Sequence, residues 1–154
     1  MSFGHTLADK ERYVMREVTK EMIREFNIKK LGYDFMGYTF KRKEDLSFHH
    51  LIVAKRNCKN LGLGQGYLFW NGAILTQHTS HDYLHIIERV DPTVFYDITS
   101  ELIDENVARK IKIENLKHIR EMLLTFEREH CSDTNGKGKY LIKPIYIDNR
   151  IKLD

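Results

Sequence analysis

From Leu7 to Phe26 the apolar residues Met15, Val18, Met22 and Phe26 return every three or four positions, the period of a helix that buries one stripe. The stretch Lys29 to Gly37 breaks that period. Residues 46 to 53, LSFHHLIV, are short, apolar and β-branched enough to predict a strand. KRNCKNLGLGQG follows and reads as a loop from its Asn, Lys and Gly content. YLFWNGAILT then carries strand-type residues on both sides of Asn71-Gly72, a turn-type dipeptide, so two strands with a long loop between them are expected. Thr79-Ser80-His81-Asp82 has the spacing of a capping box and predicts a helix from Ser80 to about Arg89, stopped near Asp91-Pro92. Pro92 suits the first turn of the next helix, whose Val94, Ile98 and Leu102 fall at four-residue steps. A further helix carries Leu116, Ile119, Leu123 and Phe126 on one face. The tail, GKYLIKPIYIDNRIKLD, has strand composition broken by Pro144 and Asp148-Asn149, which predicts a C-terminal edge β-hairpin. No repeat, linker or low-complexity run intervenes, so the expectation is a single α+β domain over residues 1–154.

Composition narrows the class. A chain of 154 residues, 42% hydrophobic and 31% charged, can bury roughly two-thirds of its unfolded surface around one core. No stretch approaches the roughly 18 apolar residues of a membrane helix, and the opening MSFGHTLADKERYV lacks the order of a secretory signal, so a cytoplasmic protein is expected. Cys58 and Cys131 lie far apart and form no C-x-x-C pair, which argues against a disulfide framework and a cysteine zinc knuckle. A metal would have to rest on His, Asp or Glu. The net charge of +3 is small, but its distribution is uneven. Lys41, Arg42, Lys43, Lys55, Arg56 and Lys59 flank the first histidine pair against only Glu44 and Asp45, so the balance there is basic. A solvated loop face would carry the same charges.

Five of the eight histidines fall at 49, 50, 78, 81 and 85. In the predicted helix His81 and His85 lie one turn apart on one face and can share an ion. His49 and His50, adjacent in a strand, point to opposite faces, so only one joins that pair unless the strand ends or bends there. The other is suited to accept a proton from water, because an unperturbed imidazole has a pKa of about 6.5. Two readings stand at this point. One is a three-histidine metal site with open positions beside a histidine base, a layout for metal-assisted hydrolysis. The other has His49 facing the core, His50 exposed, and no ion. His78 would share the face of His81 and His85 only if the helix began before Thr79. Asp82 reads as a capping residue, and GLGQG, with no following Lys-Ser/Thr or helix, reads as a turning loop. His5, His118 and His130 have no partner at useful spacing.

The pattern His49-His50, then Asn71, then His81-x-x-x-His85 resembles the HNH nuclease family, also called the ββα-metal fold. The order of elements agrees too: strand with a histidine pair, long loop, Asn before a second strand, helix with the closing histidines. The resemblance covers residues 46–90, under a third of the chain. It implies a small ββα-metal core flanked by helices and a metal-dependent endonuclease activity. His49, His81 and His85 would be the metal ligands and His50 the general base. Asn71 would accept a hydrogen bond from the His50 imidazole and fix its tautomer. One divalent ion is implied, zinc, nickel, magnesium or manganese; imidazole suits the first two and magnesium prefers oxygen. The implied partner is duplex DNA, cut to leave 5′-phosphate and 3′-hydroxyl ends, with Lys55, Arg56 and Lys59 placed to hold its backbone. The chain departs from the family in carrying GLGQG where a GG doublet is common and in lacking the cysteine pairs of many members. Asn71-Gly72 is equally a favoured hairpin turn without chemistry. The rival classes are a non-catalytic, metal-stapled DNA-binding or structural module and a metal-dependent hydrolase of another substrate.

Overall fold

The computed structural model of the chain describes residues 6–131 and 150–153. Helix α1, Leu7–Glu25, opens with a capping box in which Thr6 Oγ1 accepts from the Asp9 amide and the Asp9 carboxylate accepts from the Thr6 amide. Its predicted stripe deepens along its length: Met15 and Val18 are half-buried, whereas Met22 and Phe26 are buried. Asn27 in the left-handed region, φ 57°, ends the run before the short α2, Ile28–Leu31.

Strand β1, Leu46–His50, pairs antiparallel with β2, Gly72–Thr76, with Leu46 opposite Thr76 and His50 opposite Gly72. All of β2 is buried, which is why its sequence is continuously apolar rather than alternating. Gly72 sits under the Phe48 ring, where a Cβ would come within 2.2 Å of a ring carbon. The Asp34 carboxylate, wholly buried, accepts from the amides of Met36, Tyr38 and Thr76 and from the Thr76 hydroxyl, tying the 34–38 turn to the end of β2. Three helices follow: α4, Asp82–Val90; α5, Pro92–Ala108; and α6, Ile113–His130. Pro92 occupies the first turn of α5, as the sequence predicts, and Asp91, expected only as the stop of the preceding helix, caps α5. Leu116, Ile119, Leu123 and Phe126 of α6 are all buried in one core cluster with both strands. The Asn106 side chain on α5 donates to the carbonyls of Phe69 and Gly72, fixing α5 against the start of β2. Among the described residues the fold is α+β and mostly helical, with six helices and one two-stranded antiparallel sheet.

Several predicted boundaries move. The first strand stops at His50, not Val53, because the amides of Ile52 and Val53 turn to the Asn71 side chain instead of a neighbouring strand. Residues Phe69–Asn71 form a 3-10 turn rather than a strand, so Asn71-Gly72 is an entry into β2 and not a hairpin turn. Within the expected loop, Lys55–Cys58 forms α3 and Lys59–Leu61 a further 3-10 turn. The capping box at Thr79 does not form: the chain is already helical from Gln77, in one π-helical turn to His81, and Thr79 Oγ1 donates back to the Thr76 carbonyl. The C-terminal hairpin expected over 138–154 lies largely outside the described residues; within them, Arg150 bridges to Tyr38.

Candidate metal centre

The end of β1, the π-helical turn Gln77–His81 and the first turn of α4 bring three imidazoles together. The ring of His49 lies 5.1 Å from that of His81 and 5.4 Å from that of His85, and the last two are 5.0 Å apart. One nitrogen from each falls within 4.8 Å of the others. His49 is 2% exposed and neither of its ring nitrogens has a hydrogen-bond partner. A buried, unpartnered imidazole is costly, by about 1–3 kcal/mol for each polar atom left unsatisfied, unless something absent from the chain itself takes its lone pair.

The neighbours of the other two imidazoles fix which nitrogen is left for that purpose. Ser47 Oγ donates its hydrogen to the Leu75 carbonyl, 3.0 Å, so toward His81 Nδ1, 2.7 Å away, it can only accept. His81 Nδ1 therefore carries the proton and Nε2 the lone pair. The Glu88 carboxylate accepts from His85 Nδ1 at 3.3 Å, with the same consequence. Burial lowers the pKa of His49 well below the usual histidine value, reinforced by the neighbouring imidazoles. Burial and then His85 lower that of His81 to about 4, against the opposing pull of Asp82. Three imidazoles with a free nitrogen each, one of them orphaned in the interior, are the donor set a borderline transition ion requires.

His50 stands apart from this triad. Its ring shares the other face of β1 with Phe48, 5.1 Å away, and packs beside Tyr67, also 5.1 Å. Because β1 ends at His50, both members of the pair nevertheless open on the same cavity, about 1050 Å³, with His81 and His85. The Gln65 backbone carbonyl lies 2.7 Å from His50 Nε2. A carbonyl only accepts, so Nε2 bears the hydrogen and Nδ1 the lone pair. Burial lowers the His50 pKa, and the Gln65 carbonyl opposes that shift in part.

This corrects the expected bond from Asn71 to the His50 imidazole. Asn71 is wholly buried and fully engaged elsewhere: Oδ1 accepts from the amides of Ile52 and Val53 at 2.9 and 2.8 Å, and Nδ2 donates to the carbonyls of Val53 and Gly66 at 3.0 and 3.1 Å. Where β1 ends, its freed backbone groups need partners, and Asn71 supplies them. It acts on His50 at one remove, by holding Gly66 beside Gln65. Gly66 itself sits at φ +78°, and a Cβ there would meet Cys58 Sγ at 2.3 Å and His50 Cδ2 at 3.0 Å.

Five of the six basic residues around the histidine pair divide between two hollows. Lys55, Arg56 and Lys59, on α3 and the turn after it, line the cavity that holds the histidines. Lys41 and Arg42 line a different hollow with His78 and Asp45, and Arg42 pairs with Asp45 at 3.2 Å. His78 is inside the helical turn after all, yet stays out of the triad: its side chain is 85% exposed and faces Asp82 at 3.6 Å. His118 pairs with Glu101 at 3.0 Å, and His5 lies outside the described residues. A second group, Asp91, Glu129 and His130, is close enough to share an ion. There His130 Nε2 is already taken by Asp91 at 3.0 Å, so no buried nitrogen is orphaned.

Ser47 and Glu88 are supports that the sequence-level reasoning missed, although the two-residue period of a strand from His49 and the helical spacing from His85 could have pointed to them. Gln65 gave no such signal, because its contribution to His50 is a backbone carbonyl and leaves no mark in residue type. Comparison with known protein families, with curated proteins and with solved structures finds no match.

Proposed function

We propose that this chain is a metal-dependent endonuclease of the ββα-metal type, with residues 46–90 as its core, that hydrolyses phosphodiester bonds of duplex DNA. The observation that carries the reading is the orphaned, buried His49 converging with His81 and His85 beside a separate, singly bonded His50 in one basic cavity. A divalent ion held by the three imidazoles supplies a Lewis acid for the charge that develops on phosphate. His50, neutral and with Nδ1 free, takes the proton from the attacking water. Lys55, Arg56 and Lys59 hold the phosphate backbone without reading sequence. Ser47 and Glu88 keep His81 and His85 turned with Nε2 outward.

A metal used only to staple the fold would need the triad but not His50, and that difference decides the test. Purified protein is incubated with supercoiled plasmid and zinc, nickel, manganese or magnesium, with and without chelator. Cleavage that chelator abolishes and that His50→Ala lowers at least about a hundredfold, at unchanged metal affinity, is the expected result. Retention of DNA without cleavage under any metal would instead favour the non-catalytic module. Chelator-sensitive hydrolysis of other phosphoesters with no DNA retention would move the substrate elsewhere.

A further inference from the structure

The loop that orients His50 is tied to the buried Asn71 side chain at the Gly66 carbonyl, one residue past Gln65. It carries Gly62, Gly64 and Gly66, all at positive φ, and its internal backbone bonds are short-range, Leu63 to Cys58 and Gly66 to Leu63. Glycine-rich backbone has the most conformational freedom to lose. A carbonyl that must hold an imidazole in one tautomer needs an external support. Besides Asn71, the chain supplies one at Gln65 itself from 54 residues away: Gln65 Nε2 donates to Glu11 Oε2 on α1 at 2.5 Å.

We propose that Glu11, acting through Gln65, is a positioning residue for His50. The chain of contacts runs from the Glu11 carboxylate to the Gln65 side chain, and from the Gln65 backbone carbonyl to His50 Nε2. Glu11 lies on a face of α1, with Arg12 and Met15, that borders a hollow of about 310 Å³ against Lys55, Gln65 and Tyr67. Helix α1 is well founded for the task, capped at Thr6 and buried at Met22. A carboxylate accepting from an amide makes a stronger bond than a neutral acceptor would. Glu11 also lines the histidine cavity, where a carboxylate works against phosphate binding whether or not Gln65 bonds it, so its place there fits a positioning role and not a phosphate contact. The catalytic consequence rests on His50 being the general base; the tautomer consequence does not.

The test uses the full chain, with Glu11→Ala, Glu11→Gln, Gln65→Ala and the double Glu11→Ala/Gln65→Ala variant. Long-range proton–nitrogen spectra of ¹⁵N-labelled protein, with the His50 signals assigned by their loss in His50→Ala, read the tautomer without any need for turnover. In the parent protein His50 is expected as the Nε2–H form. Glu11→Ala is expected to convert it to a mixture of tautomers, and Glu11→Gln, whose amide oxygen still accepts from Gln65, to restore the parent spectrum. In plasmid cleavage Glu11→Ala and Gln65→Ala should each lower kcat roughly tenfold, with KM little changed, and the double variant should be no worse than either single one. An unchanged His50 tautomer in Glu11→Ala would overturn the proposal. So would a Glu11→Gln variant as impaired as Glu11→Ala, or a Glu11→Ala variant with lower KM and intact kcat, the mark of a carboxylate that merely repels phosphate. A parent chain that cleaves nothing would sink the nuclease reading, while the spectra would still decide whether Glu11 positions His50.

Discussion

His49 makes the strongest demand on its surroundings of any single side chain. It is buried with two unbonded nitrogens, so the metal-free protein carries a cost of which a bound ion, taking one lone pair, would remove a part. His49→Leu, similar in size and without polar atoms, should therefore raise the stability of the metal-free protein by about 1 kcal/mol. The same variant should lose the gain that zinc gives the parent, about 2.7 kcal/mol when free ion stands at a hundred times its Kd. Thermal unfolding with chelator and then with zinc measures both; a leucine variant still stabilised by zinc would remove His49 from the ligand set. At this scale the candidate site was largely legible, because His49, His50, His81 and His85 are uncommon residues at telling intervals. Asn71 was legible as important but not as to its partners. An amide side chain offers two donors and an acceptor of two bonds, and which groups take them depends on where β1 ends.

At the scale of elements, α4 shows how a sound local signal is overridden. Thr79 and Asp82 have the spacing of a capping box, yet a cap requires Thr79 in extended backbone, and the chain has already turned helical at Gln77. The wide turn ahead of α4 closes with bonds from the Asp82 amide to Gln77 and Thr79, and such turns recur at functional sites. Asp91, by contrast, caps α5 and also holds His130. Thr79→Ala should accordingly change stability by no more than about 0.5 kcal/mol, while Asp91→Ala should cost at least about 1 kcal/mol. Chemical denaturation of both variants checks the pair, and a costly Thr79→Ala would restore the cap. The helices α1, α5 and α6 were readable because an amphipathic period persists over many turns. The short α3 was not, since four residues carry no period.

Across the whole molecule, the packing around α5 leaves Glu105 wholly buried, with Oε1 accepting from the Lys112 amide at 3.0 Å and Oε2 unpartnered. Burial pushes its pKa up to about 9, the Lys112 bond opposes this, and Asp34 adds to it. A carboxyl raised in the folded state above its ordinary 4.5 keeps its proton while the unfolded chain ionises. Its contribution to stability is therefore complete below that ordinary value and declines as pH rises through about 9. The stability of the parent relative to Glu105→Gln should fall over that window and level off above it. Parallel pH profiles of the two proteins would remove Glu105 as the cause. No described helix is long and apolar enough to cross a membrane. The amino-acid sequence by itself determined the main helices, the rough positions of both strands and the shared face of His81 and His85, because these follow from periods and spacings that are local. Only the tertiary structure decided that His49 is left without a partner, that Asn71 staples the end of β1, and that a carbonyl at Gln65, held from α1, faces His50. Those features depend on which backbone groups are left unpaired when distant segments pack, and no residue's identity announces that.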